Sequence, residues 1–216
     1  MSMPMIAHRV FDTPLLVAPA KAAAFVAGLG PRLLTGRLAL EAPGVEAEGA
    51  AAAGRLAPRA SILAGDVEDR HLRTGRALFA VRDGVAVIEV AGTLVHRGAW
   101  LGQSSGVTSC EGIAAQIAAA AEDPAVRGIA LEIDSFGGEV AGVFDLADAI
   151  RAARARKPVQ AFVAEAALSA GYAQASQADR IVVPRTGEVG SIGLVVMHAD
   201  WSAALAEGGV RVTLNR

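Results

Sequence analysis

Ser169 stands in the run Leu168-Ser169-Ala170-Gly171, and Gly137-Gly138 stand in Ser135-Phe136-Gly137-Gly138. Each run follows an apolar stretch that reads as a buried strand, and each opens a segment that reads as a helix. If these two small-residue turns meet in space, the glycines offer backbone N–H groups and the serine offers a hydroxyl. That pairing can attack a carbonyl and hold the oxyanion that forms. Locally, Ser169 has two readings: a nucleophile at the positive end of a helix dipole, or an ordinary N-cap. Gly137-Gly138 reads as a nest of outward N–H groups, as a plain strand-to-helix turn, or as a phosphate cradle. The dinucleotide pattern Gly-x-Gly-x-x-Gly is absent, because the next glycine, Gly142, falls at the wrong spacing.

Composition narrows the chemistry. The chain has 216 residues, 53% hydrophobic and 19% charged, which supports one domain with a sizeable core. A formal net charge of −2 gives no electrostatic case for nucleic acid or an anionic membrane. The single cysteine, Cys110, excludes an internal disulfide and reads as a buried thiol. No metal or organic cofactor is implied. No charge-free apolar run reaches the ~18 residues of a spanning helix. Arg9, Asp12 and Lys21 interrupt the N-terminus, unlike a secretory signal, so the expected compartment is cytoplasmic. Lys21 and Lys157 are the only lysines, and both read as solvated charges.

The elements that must position these residues form a repeating pattern. Thr13-Pro14 is expected to open a helix through Ala20–Leu29. Glu41–Ala60, rich in alanine, glycine and proline, reads as a linker. Arg55–Arg76 is charged and poorly patterned, so residues 1–76 read as an irregular arm and 77–216 as the folded domain. Strands are expected at Gly84–Val90, Val126–Ile133, Val159–Val163, Arg180–Val183, Ile192–His198 and from Val210. Gly92–Gly106 reads as a loop. Helices are expected at Cys110–Glu122, Val140–Arg156, Leu168–Ala178 and Trp201–Glu207. The near-continuous apolar run before Asp134 suggests a parallel sheet covered on both faces. Strand, turn, helix, strand repeats at crossover lengths typical of βαβ units, so the fold class is α/β.

Three ordered strings, IDSFGGEVAG, AEAALSAGYAQASQADRIVVP and GEVGSIGLVV, resemble peptidase family S49. That family includes signal peptide peptidase A and the phage head-maturation proteases. Its pattern is Asp-Ser-Pro-Gly-Gly, then Ala-x-Ser-x-Gly-Tyr, then Gly-Ser-Ile-Gly. The segment from Val81 to Ile113 and the run RVFDTPLLVAPAKA look more like the phage and prophage branch. The resemblance implies a Clp protease/crotonase-like fold. It also implies Ser169 as acylating nucleophile, an oxyanion hole from the N–H groups of Gly138, Gly137 and Ala170, and a cleft shaped by Tyr172. Ser191 would support the site. Implied partners are protein substrates of the scaffold, capsid or portal kind and further copies of the chain in a homo-oligomer, in the cytoplasm or within a procapsid.

Two departures from the family pattern stand out. Phe136 replaces the proline of the first motif. The family's base is a lysine about fifty residues after the serine, within hydrogen-bond reach of its hydroxyl. Arg216 comes a few residues short of that place, so the resemblance implies a peptidase domain truncated at its C-terminus. Arg216 cannot serve as the base. His198 and His96 are the candidate substitutes, and both read more simply as strand-end and loop residues. Asp134 and Glu165 flank the two turns. Three readings follow: a Ser–Lys endopeptidase maturing phage heads, a non-catalytic prophage assembly protein that keeps the fold, and a crotonase-like enzyme acting on an acyl-CoA thioester.

Overall fold

Short β-branched runs separated by alanine-rich amphipathic segments dictate strands joined by helices. The α/β architecture of the computed structural model is the result, and it describes residues 10–11, 13–24, 26–27, 79–97, 107–198 and 207. In chain order its elements are β1 (Pro14–Val17), β2 (Ala80–Arg82), β3 (Val85–Val95), β4 (Val107–Ser109), α1 (Cys110–Glu122), β5 (Gly128–Glu139), α2 (Val143–Arg154), β6 (Val159–Leu168), α3 (Ala170–Ala175), β7 (Arg180–Val182), β8 (Glu188–Gly190) and β9 (Val195–Val196). Residues 19–24 are also helical.

One sheet holds the strands. β2 and β3 form a hairpin over Asp83-Gly84, both at positive φ, the backbone that an Asp-Gly turn favours. β3, β5 and β6 run parallel, with α1 between the first two and α2 between the second two. β7 and β8 both lie parallel to β6. β1 departs from this pattern, running antiparallel to both β5 and β9.

The helices are placed by their ends as well as by their faces. The Ser109 hydroxyl accepts the Gly112 N–H at 3.1 Å and starts α1. Lys157, expected to be merely solvated, donates to the carbonyls of Ala120 and Asp123 at the end of that helix, at 2.7 and 2.5 Å. Arg154, at the end of α2, pairs with Asp179 at 2.9 Å, and Asp179 accepts the Val159 N–H. These contacts pin the far end of the sheet, opposite Ser169.

Ile88, Ile113, Ile117, Leu131, Ile133, Leu146 and Ile150 are buried in one cluster between the helices and one sheet face. On the other face Glu89, Glu132, Gln160 and Phe162 are exposed. Among the described residues the helices therefore cover one face, not the two expected. The glutamates give the reason: a strand covered on both sides has no room for an unpaired charge. No helix among the described residues is long and apolar enough to cross a membrane.

Other expectations shift too. Pro14–Val17 is a strand of the sheet, not the start of a helix, and the helix begins five residues later. It is therefore part of the sheet and not of an irregular arm. The Ser135–Gly138 run is not a turn: β5 continues through it to Glu139. β3 extends to Val95 into the expected loop, and Ile192–His198 shrinks to the two residues of β9. Glu41–Ala60, Arg55–Arg76, Val210–Leu214 and all of the Trp201–Glu207 segment except its last residue lie outside the described residues.

The one-faced core makes a direct contrast testable. Ile133→Ala should lower the free energy of urea unfolding by about 2–5 kcal/mol. Glu132→Ala, its neighbour on the open face, should change it by no more than about 0.5 kcal/mol.

Candidate active site

The site begins with the way β5 shares its edges. β3 follows one edge from Gly128 to Gly138. β6 follows the other only as far as the pair Ser135↔Ala167, then leaves into Leu168, Ser169 and α3. Beyond Ser135 the vacated edge belongs to β1, through Val17↔Gly137, Leu16↔Gly138 and Leu15↔Glu139. Ser169 lies at this changeover.

Only glycine fits there. A Cβ on Gly138 would fall 1.8 Å from the Leu94 carbonyl oxygen. One on Gly137 would fall 2.0 Å from the Leu16 oxygen and 3.1 Å from the Ser169 Cβ, and Gly137 has φ +100°. Absence of side chains therefore lets two strands and a serine converge. The expected meeting of the two motifs occurs, although one of them is a strand. Gly171 serves the same close packing, since a Cβ there would lie 2.9 Å from the Ser135 carbonyl oxygen.

Ser169 adopts φ 54°, ψ −113°, a conformation rare outside glycine. Its N–H donates to the Gly190 carbonyl at 2.8 Å, and its own carbonyl accepts the Ala173 N–H at 2.9 Å. The hydroxyl makes no cap bond to α3. It donates to the Gly193 carbonyl at 3.3 Å instead. The capping reading is thus not realised. A serine strained between a strand and a helix is also how a nucleophile elbow presents its hydroxyl. The residue is 4% exposed.

Ser135 was legible only as part of a motif, yet it organises the junction. Fully buried, it donates to the Gly92 carbonyl at 2.6 Å and accepts the Gly137 N–H at 3.1 Å. The Gly137 amide, expected to point outward, is therefore engaged inside the protein. Gly138 and Ala170 remain as the candidate donors. Gln174, also missed, is fully buried and donates to the Val143 carbonyl at 3.0 Å, tying α3 to α2. Neither role was read from the sequence, because each includes a contact distant in the chain, Ser135 with Gly92 and Gln174 with Val143.

The other candidates disperse. Phe136 packs with Ala18, Ala166 and Leu168, and the Lys21 ammonium lies 3.9 Å from its ring centroid. Lys21 is thus not merely solvated. His96 lines a cavity of about 250 Å³ with Thr13, Pro14, Glu139, Val140 and Ala141, and its backbone N–H donates to Glu139 at 2.8 Å. His198 is exposed, beside the Phe11↔Met197 bridge. Ser191, at φ 52°, and Glu165 are exposed, while Asp134 and Tyr172 are half-buried. Cys110 is buried, and burial, with the Glu139 charge adding, pushes its thiol up to about 12.

Residues 151–216, which include the serine motif, match the model of peptidase family S49. It is 40% identical over 213 residues to capsid assembly protease C of Escherichia phage lambda, covering 99% of this chain and 47% of that protein. It is 38% identical over 204 residues to the head-tail preconnector protein GP5 of Enterobacteria phage P21, covering 94% and 39%. The chain thus spans less than half the length of these two curated relatives. Matches among solved structures are partial and low in score. One enoyl-CoA hydratase/isomerase family member is 21% identical with TM-score 0.39, over 61% of this chain and 51% of that one.

Two outcomes test the junction. Ser135→Ala removes a partner from the Gly92 carbonyl and from the Gly137 N–H, and should cost about 1–3 kcal/mol in denaturant unfolding. The Cys110 thiol should not react with Ellman's reagent in the native protein at pH 8 and should react once unfolded. Its folded pKa exceeds the ordinary 9.0, so the unfolded chain releases that proton first. Stability should hold with respect to this group below pH 9 and fall as pH rises from there toward 12.

Proposed function

We propose that this chain is the catalytic part of a serine peptidase that acts on proteins during phage head assembly. The observation that carries the reading is the strained, uncapped Ser169 packed against Gly137 at the end of β6. Its hydroxyl would attack a substrate carbonyl, losing its proton to a base as the C–O bond forms. The N–H groups of Gly138 and Ala170 would hold the oxyanion. One such donor is typically worth roughly 3–4 kcal/mol of barrier. Collapse of that intermediate would expel the amine, which takes a proton, and water would then release the acyl group. The S49 resemblance calls for a lysine as the base. Lys157 is occupied at the far end of the sheet and Lys21 lies over Phe136, so neither is offered as that base.

The names of the two phage relatives support protein substrates in capsid or connector assembly, with the procapsid or its host's cytoplasm as the setting. A homo-oligomer accords with the family resemblance. The exposed Ile192, Leu194 and Val196 beside the site would suit contacts between copies.

A serine-directed fluorophosphonate tests the reading. The protein should be compared with its Ser169→Ala form, both as the 216-residue chain and as a chain continued past Arg216 in its own frame. The longer chain should be labelled, with the label on Ser169, and its alanine form should not. Equal labelling of the alanine form, or none in either length, would leave an assembly protein that keeps the fold without the chemistry.

A further inference from the structure

We infer that the slot between β5 and β9 is a groove for an extended peptide, and that β1 is its in-chain occupant, which must withdraw before a substrate enters. The inference rests on the reading of Ser169 as nucleophile and adds the means by which that residue is covered.

β1 is a guest in the sheet. The strands joined by helices run parallel, whereas β1 runs antiparallel to both neighbours. It joins β5 through Leu15, Leu16 and Val17, and β9 through Pro14 and Leu15. Adding a strand to an open edge through main-chain pairing is how extended peptides are commonly bound. Side chains hold β1 unevenly: Leu15 is buried, Leu16 is half-buried against the core, Val17 is half-buried, and Pro14 is exposed.

The position of β1 gives this pairing its meaning. The Leu16 carbonyl carbon lies 3.0 Å, and the Ser169 Cβ 3.1 Å, from the same point, the place a Cβ on Gly137 would take. The Leu16 carbonyl carbon and the Ser169 Cβ are thus no more than about 6 Å apart, on the edge that carries Gly138. Ala18 continues the pairing by donating its N–H to the Phe136 carbonyl at 3.0 Å. A substrate strand presenting its scissile carbonyl to Ser169 needs this same edge. Both cannot hold it at once. Residues 28–78 separate β1 and its following helix from β2. Withdrawal of β1 would leave the slot between β5 and β9 to a substrate strand. The groove would then take an extended segment with an apolar residue where Leu15 sits and a small one where Ala18 sits.

A reversible lock tests the inference. Leu15 and Val195 are direct partners across β1 and β9. Antiparallel partners lie about 4.5–5.5 Å apart, within the range a disulfide spans. A chain with Leu15→Cys and Val195→Cys, continued past Arg216, should when oxidised label at Ser169 roughly tenfold or more slowly than when reduced. Dithiothreitol should restore the rate. A fluorescein-labelled peptide of residues 11–20 should bind the reduced form and not the oxidised one. Leu15→Asp, which unseats β1, should label faster than wild type if circular dichroism shows it folded, and the locked pair decides the matter if it is not. Equal labelling and equal peptide binding in the oxidised and reduced forms overturn the inference. Redox-dependent peptide binding without labelling in any form upholds the groove and overturns Ser169 as nucleophile.

Discussion

Close approach at two residues without side chains governs this site. Gly137 and Gly138 form the stretch where β3, β1 and Ser169 come together around β5. Any larger residue would require a strand to move, because the nearest atoms belong to backbone carbonyls and not to flexible side-chain ends. The pair is therefore a geometric requirement of the sheet before it is a feature of any chemistry. A donor amide can face a substrate there only because the backbone is bare.

Ser169 depends on that convergence. A non-glycine residue at positive φ with an extended ψ costs of order 1–3 kcal/mol and persists only where its surroundings over-determine it. Here β6 fixes the chain before it, α3 fixes the chain after it, and the bond from its N–H to Gly190 fixes it from the side. α3 has only six residues, so its dipole is short, and the steric placement of the hydroxyl matters more than the helix field. Ser135 completes the frame from below by holding the Gly137 amide and the Gly92 carbonyl with one hydroxyl. The two runs thus divide their labour: the glycines clear space, one serine braces them, and the other is held at the junction.

The helices and the parallel order were legible because they rest on local pattern. α1 has the expected bounds, Cys110–Glu122. β5 was half legible. Its apolar run was visible, but the paired glycines looked like a turn, and pairing with β3 on one edge and with β1, more than a hundred residues earlier in the chain, on the other makes them strand. The Asp83-Gly84 hairpin carried a readable signal that went unused. β1 itself has no such signal. Four residues beginning with proline, in a run rich in alanine, gain their strand identity wholly from the edge they occupy, as β-propensity generally does. The meeting of Ser169 with Gly137 followed from motif order, whereas the inward turn of the Gly137 amide did not, because a hydroxyl two residues away had to be in place to receive it.

An open edge explains why the occupant is so slight. Remove β1, and the last residues of β5 and the two residues of β9 present unpaired N–H and C=O groups, which invite any extended chain. An enzyme that binds peptides by strand addition needs such an edge, yet an edge left bare next to a nucleophile would recruit strands indiscriminately. Filling it with a short segment meets both demands. Main-chain pairing would satisfy the groups at rest, and a strand of only four residues would keep the exchange for a better-matched peptide within reach. A longer or more deeply buried strand would protect the edge better and surrender it less readily. By this argument specificity arises from competition: a substrate must match the groove well enough to displace the segment already tethered beside it.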